Sequence, residues 1–149
     1  MDDSFLNDIM SDFLQDVSNV GDKRKHILVV DDNAQTLRNL KNVLEKDYRV
    51  TLANSGIKAI TCIGKDRPDL VLLDYEMPIY NGKQTFEMIQ ADEDIANIPV
   101  VFLTGVNDRE HIKEVLLLKP AGYLLKPTPK EKLINTIEAA INNVGENNG

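Results

Sequence analysis

A chain of 149 residues with 42% apolar residues has room for one domain with a proper core, and its formal charge of -7 is unevenly spread. Residues 1–22 carry six Asp and no base, whereas residues 23–149 hold 17 bases against 18 acids, so the body has no basic stripe and direct binding to nucleic acid or to an anionic membrane is not expected. The single cysteine, Cys62, excludes an internal disulfide, and the absence of a basic leader or a membrane-length apolar run makes the expected address cytoplasmic.

Residues 1–24 read as an acidic N-terminal extension. Leu6, Met10, Phe13, Val17 and Val20 recur at helical spacing and predict an amphipathic helix over residues 4–20, with Asp8, Asp12 and Asp16 on another face. Such a short helix with like charges four apart needs something to pack against. Folding back on its own domain and contacting a partner, including a second copy in a homodimer, are both open to it.

From residue 25 to 144, strand-like and helix-like patterns alternate five times. Ile27–Val30 is an apolar run followed by a helix with Leu37, Leu40, Val43 and Leu44 on one side. Residues 48–53 read as a second strand, and Ser55 as the N-cap of a helix bearing Ile57, Ile60 and Ile63. Cys62 falls in that helix as a small core residue. Leu70–Leu73 is a continuous apolar run of the kind a strand buried on both faces requires, and it ends on Asp74. Pro78 cannot continue a ladder and Asn81-Gly82 reads as a turn pair, so Asp74 lies where strand gives way to loop. A helix over 82–90 turns Phe86 and Ile89 inward, and Pro99 opens a fourth strand over 100–103. A helix with Ile112, Val115 and Leu116 precedes a short strand over 123–125, and the last helix carries Leu133, Ile137, Ala140, Ile141 and Val144. Residues 145–149, rich in Asn and Gly, read as a frayed tail. Strict alternation of this kind predicts a parallel α/β sheet with helices on both faces.

Four of the five strands end on a residue able to handle phosphate or a metal: Asp31-Asp32, Asp74, Thr104 and Lys126. The strand ends of a parallel sheet share one edge, which is where open α/β sheets place their chemistry, so these residues are expected to converge. Each alone has a plainer reading, since Asp-Asp after a strand also serves as a helix N-cap and a Lys before Pro is usually a solvated loop residue. Together, three clustered carboxylates call for a cation, and an all-oxygen site open to water and phosphate favours Mg²⁺. Asp74 can then attack phosphorus, with Lys126 pairing a phosphoryl oxygen and Thr104 donating a hydrogen bond.

The runs VVDD ending at Asp32, LLDYEMP around Asp74, VVFLTG around Thr104 and AGYLLKP around Lys126 make residues 25–144 resemble the receiver domain of bacterial response regulators. The resemblance implies a flavodoxin-like fold with strand order 2-1-3-4-5. It implies that Asp74 is the phosphoacceptor for a histidine kinase or phosphotransfer protein. Asp32 is then the direct Mg²⁺ ligand, Asp31 the holder of metal-bound water, and the backbone carbonyl of Glu76 a further ligand. Lys126 matches the phosphate-binding lysine, commonly followed by a cis bond, here to Pro127. Thr104 and Tyr123 match a switch pair read out on the fourth helix, fifth strand and fifth helix. Without the resemblance Tyr123 reads as a half-buried strand aromatic. Glu76 and Val106 occupy the positions that tune phosphoryl lifetime, and Val106, with no hydrogen bond to offer an attacking water, is expected to slow self-dephosphorylation.

The resemblance thus implies a signalling switch that catalyses only its own phosphorylation and dephosphorylation, with its downstream target unspecified. Two rivals stand beside it. A degenerate receiver would bind partners without phosphorylation, although no key position departs from the pattern. A Mg²⁺-dependent phosphatase with an aspartyl nucleophile would resemble D-x-D, whereas Glu76 stands at the second position and no cap domain is encoded.

Overall fold

The computed structural model describes residues 21–77, 81–105 and 109–147. The helix expected over 4–20, Pro78, Val106 and residues 148–149 lie outside the described residues. The strands are β1 (His26–Val30), β2 (Arg49–Ala53), β3 (Leu70–Leu73), β4 (Val100–Thr104) and β5 (Gly122–Leu125). The helices are α1 (Ala34–Leu44), α2 (Gly56–Lys65), α3 (Gly82–Ala91), α4 (Arg109–Leu117) and α5 (Lys130–Asn147).

All strand pairs are parallel and the order is β2-β1-β3-β4-β5, the flavodoxin-like arrangement expected. Alternation along each strand divides the core into two layers. Leu28, Val30, Val71, Leu73, Val100 and Phe102 pack with Ala59, Ile63, Phe86, Ile89 and Val115, so α2, α3 and α4 cover one face. Ile27, Val29, Leu70, Leu72, Val101 and Leu103 pack with Leu37, Leu44, Leu133, Ile137 and Ala140, which places α1 and α5 on the other. Burial on both sides explains why β1, β3 and β4 are nearly uninterrupted apolar runs.

Ser55 caps α2 as expected, its hydroxyl accepting from the Lys58 amide at 3.2 Å. Other local readings change. Ile57 is 55% exposed, because the buried stripe of α2 runs through Gly56, Ala59 and Ile63 and so lies one residue round the helix from it. Leu116 is 56% exposed for the same reason, with Val115 facing the sheet instead. Asn81 and Gly82 are the N-cap and first residue of α3 rather than a free turn: the Asn81 side chain accepts from the Gln84 amide and the Gln84 side chain accepts from the Asn81 amide, both at 2.9 Å. Helix α5 continues past Val144 to Asn147, since Gly145 weakens a helix without removing a backbone donor. Cys62 is a free, half-buried thiol against the α2 side of the core. At the edge where the strands begin, buried His26 is held by Thr51, with Nε2 and Oγ1 2.7 Å apart.

Candidate functional site

The backbone ladder fixes the residues at the opposite edge. The amide of Asp31 donates to the Ala53 carbonyl at 3.1 Å, that of Asp74 to Val30 at 2.9 Å, and that of Lys126 to Thr104 at 2.9 Å. Each residue that leaves a strand is thus still tied to its neighbour strand. Val30 pairs with Leu73, which sets Asp31 beside Asp74. Helix α1 is capped by Asn33, whose side chain accepts from the Thr36 amide at 3.0 Å, so neither Asp31 nor Asp32 serves as its cap. Asp31 Oδ1 instead accepts from the Asn33 amide at 2.9 Å.

Asp31, Asp32 and Asp74 each offer a carboxylate oxygen within 4.8 Å of the others. Asp31 and Asp74 are buried and Asp32 is exposed, so the cluster opens to solvent on one side. Lys126 Nζ pairs with Asp31 Oδ2 and lies 3.6 Å from Asp74 Oδ2. Burial, followed by the neighbouring Asp31 charge, pushes the Asp74 carboxyl up from 3.8 to about 6, and Lys126 only partly offsets this. Desolvation, more than the crowding of like charges, is the larger cause. A set of hard oxygen donors, crowded and underneutralised, is one that a divalent cation with water in its shell would fit.

Thr104 is fully buried at the end of β4, and Tyr123 is half-buried on β5. Tyr123 pairs with Phe102 and Leu125 with Thr104, so the two expected switch residues lie two steps apart along adjacent strands. The Lys126–Pro127 bond is cis. Glu76 is exposed, and its amide approaches Asp74 Oδ1 at 3.4 Å.

Residues not expected at the site also shape this loop. Gly82 sits so close beneath the acceptor segment that a Cβ there would lie 2.4 Å from the Asp74 carbonyl oxygen and 2.7 Å from Tyr75 Cα. Its amide donates to the Tyr75 carbonyl at 2.7 Å. A Gly that starts a helix directly after a cap was the available signal. The Tyr75 hydroxyl donates to Glu114 Oε2, and its ring stands edge-on to Phe102 and His111, with centroids 6.0 and 5.5 Å away. Tyr75, Glu76, Met77, Asn81, His111 and Glu114 line a cavity of about 460 Å³ beside the cluster.

No described helix is long and apolar enough to cross a membrane. The model of the response regulator receiver domain matches residues 27–138. The chain is 32% identical over 118 residues to the transcriptional regulatory protein YdfI of Bacillus subtilis, covering 77% of this chain and 54% of that one. It is 32% identical over 122 residues to hybrid signal transduction histidine kinase D of Dictyostelium discoideum, covering 82% of this chain and 8% of the kinase. This chain therefore spans about half or less of these relatives. A crystal structure of a response regulator receiver domain protein from Clostridium thermocellum superposes with a TM-score of 0.72 at 29% identity, covering 80% of this chain and 95% of that one. By the family match over most of its length and by these likenesses, the chain belongs to the response regulator receiver domain family of two-component signalling.

Proposed function

We propose that this receiver is a phosphorylation switch in which Asp74 takes a phosphoryl group from a phosphohistidine of a histidine kinase or phosphotransfer protein. A carboxylate oxygen of Asp74 attacks phosphorus, the P–N bond breaks, and the imidazole leaves. The observation that carries this reading is the crowding of Asp31, Asp32 and Asp74 within 4.8 Å, with the Lys126 ammonium against two of them. Asp31, Asp32, Asp74 and the Glu76 carbonyl would hold Mg²⁺. When bound, the ion supplies positive charge for the phosphoryl oxygens.

Lys126 already spans Asp31 and Asp74, so a modest reorientation lets its Nζ pair with a phosphoryl oxygen on Asp74. The Thr104 hydroxyl follows onto the phosphoryl group, and Tyr123 turns inward against Phe102, its strand partner. Readout then falls on the face of α4, β5 and α5, where Leu116, Leu117 and Leu125 are 56%, 80% and 40% exposed. Glu76 and Val106 set the phosphoryl lifetime, and Val106→Glu is expected to shorten it.

Intact mass after incubation with acetyl phosphate tests the chemistry. A gain of one phosphoryl mass that needs both Mg²⁺ and Asp74, and is absent in Asp74→Asn, is expected. A folded, Mg²⁺-binding protein that gains no mass from acetyl phosphate or from a phosphorylated kinase overturns the reading in favour of a degenerate receiver.

A further inference from the structure

The two residues that follow Asp74 both reach helix α4. The Tyr75 hydroxyl donates to Glu114 Oε2, and the Tyr75 ring packs edge-on against His111 at 5.5 Å. Glu76 Oε1 lies 3.9 Å from His111 Nε2. His111 and Glu114 are three apart and share one side of the helix.

Few apolar anchors compete with these contacts. Among the described side chains of α4 only Val115 is buried, while Leu116 and Leu117 face solvent. A short helix with one buried apolar residue has little packing to fix its seat on the sheet, so its contacts with Tyr75 and Glu76 bear on where it sits. Tyr75 itself is 5% exposed and wedged against Phe102, so its hydroxyl has little freedom to choose another partner. Behind it, Gly82 leaves little slack: its amide holds the Tyr75 carbonyl at 2.7 Å, and even a Cβ there would lie 2.4 Å from the Asp74 carbonyl oxygen and 2.7 Å from Tyr75 Cα. A displacement at Asp74 is therefore passed to Tyr75 instead of being absorbed by the chain.

We infer that Tyr75 and Glu114 form a positioning strut that makes the charge state of Asp74 felt by α4, in addition to whatever Thr104 and Tyr123 transmit. The inference rests on the phosphoacceptor reading and deepens it, by naming residues of this chain that join the acceptor to its proposed readout face. The strut begins one peptide bond from Asp74 and ends on α4 without involving either member of the expected switch pair. Coupling of this kind requires that the contact differ between the two states of the site, and removing it should sever the response without removing the binding that provokes it.

The experiment follows amide hydrogen exchange over residues 109–117 with and without beryllofluoride and Mg²⁺, a phosphoryl mimic, in the full chain. In wild type, the mimic changes exchange in α4. Tyr75→Phe, which keeps the ring and its packing, is expected to bind the mimic with Mg²⁺ yet lose the α4 change. Glu114→Ala should behave alike, the double variant should show no further loss, and Glu114→Gln, which retains an oxygen acceptor, should restore the response. A wild-type α4 response in Tyr75→Phe overturns the inference, as does mimic binding to wild type without any α4 response, and in both cases the phosphoacceptor reading stands. Failure of wild type to bind the mimic in the presence of Mg²⁺ overturns that reading together with the inference.

Discussion

Replacing Asp74 with Asn should make this protein more stable at neutral pH, even though it removes the residue on which the proposed chemistry depends. The Asp74 carboxyl titrates at about 6 in the fold against 3.8 ordinarily, with burial as the main cause and Asp31 as the next. A carboxyl with a raised folded value binds more protons in the folded state than in the unfolded one, so stability falls as pH rises between the two values, and the full penalty is present above both. A difference of about two pH units at about 1.4 kcal/mol each gives a ceiling of about 3 kcal/mol at pH 7.5. That ceiling already contains the attraction of Lys126, whose Nζ lies 3.6 Å from Asp74 Oδ2. Urea denaturation of wild type and Asp74→Asn in the presence of a chelator should show a gain of about 1–3 kcal/mol near pH 7.5, shrinking below about 1 kcal/mol near pH 4. Mg²⁺ at a hundredfold above its dissociation constant should recover about 2.7 kcal/mol in wild type and much less in the variant. Equal stabilities near pH 7.5, or a gain of the same size near pH 4, would refute the electrostatic account of the site.

Four other substitutions separate the parts of the structure. Lys126→Met leaves Asp31 and Asp74 without the ammonium that pairs with them, and should cost about 1–3 kcal/mol near pH 7.5 in urea denaturation, with a smaller loss near pH 4 where Asp74 is protonated. Gly82→Ala drives a methyl group into the backbone of Asp74 and Tyr75; a loss of about 2–4 kcal/mol is expected, and an unchanged urea midpoint would mean that α3 shifts freely. Leu117→Ser, at a position 80% exposed, should change stability by less than about 0.5 kcal/mol, whereas Leu133→Ala, at a position 2% exposed, should cost about 2–5 kcal/mol, as thermal unfolding will report.

The sheet was legible because a strand buried on both faces has to be apolar along its length. Leu70–Leu73 and Val100–Leu103 admit no polar residue, and the first polar side chain after each marks the edge where the chemistry collects. Helix faces were less legible. In α2 the spacing of Ile57, Ile60 and Ile63 suits one side of a helix, yet the small residues Gly56 and Ala59 allow the close approach to the sheet and turn Ile57 outward. Only Ile57 departs from the expected stripe, since Ile60 and Ile63 do pack against the core. The Tyr75–Glu114 contact joins residues 39 apart in loop and helix, and no periodicity links such a pair. Gly82 was read for the turn it could make, when its importance lies in the side chain it lacks. Desolvation as the main perturbation of Asp74 likewise depends on how deeply the strand end is sunk, which the order of residues along the chain does not encode.

The cation of the site comes late in the chain. Lys126 follows its partner Asp31 by 95 residues, and β1 already has both of its strand neighbours once β3 has been made. During synthesis the central strands can therefore assemble, with Asp31, Asp32 and Asp74 brought to one edge, before the residue that counters them has left the ribosome. A nascent domain in that condition draws its counter-charge from the medium. Chains arrested before residue 126 should accordingly depend on divalent cations for their partial structure more than the finished protein does, and translation itself becomes a stage at which the ionic composition of the cell acts on this fold.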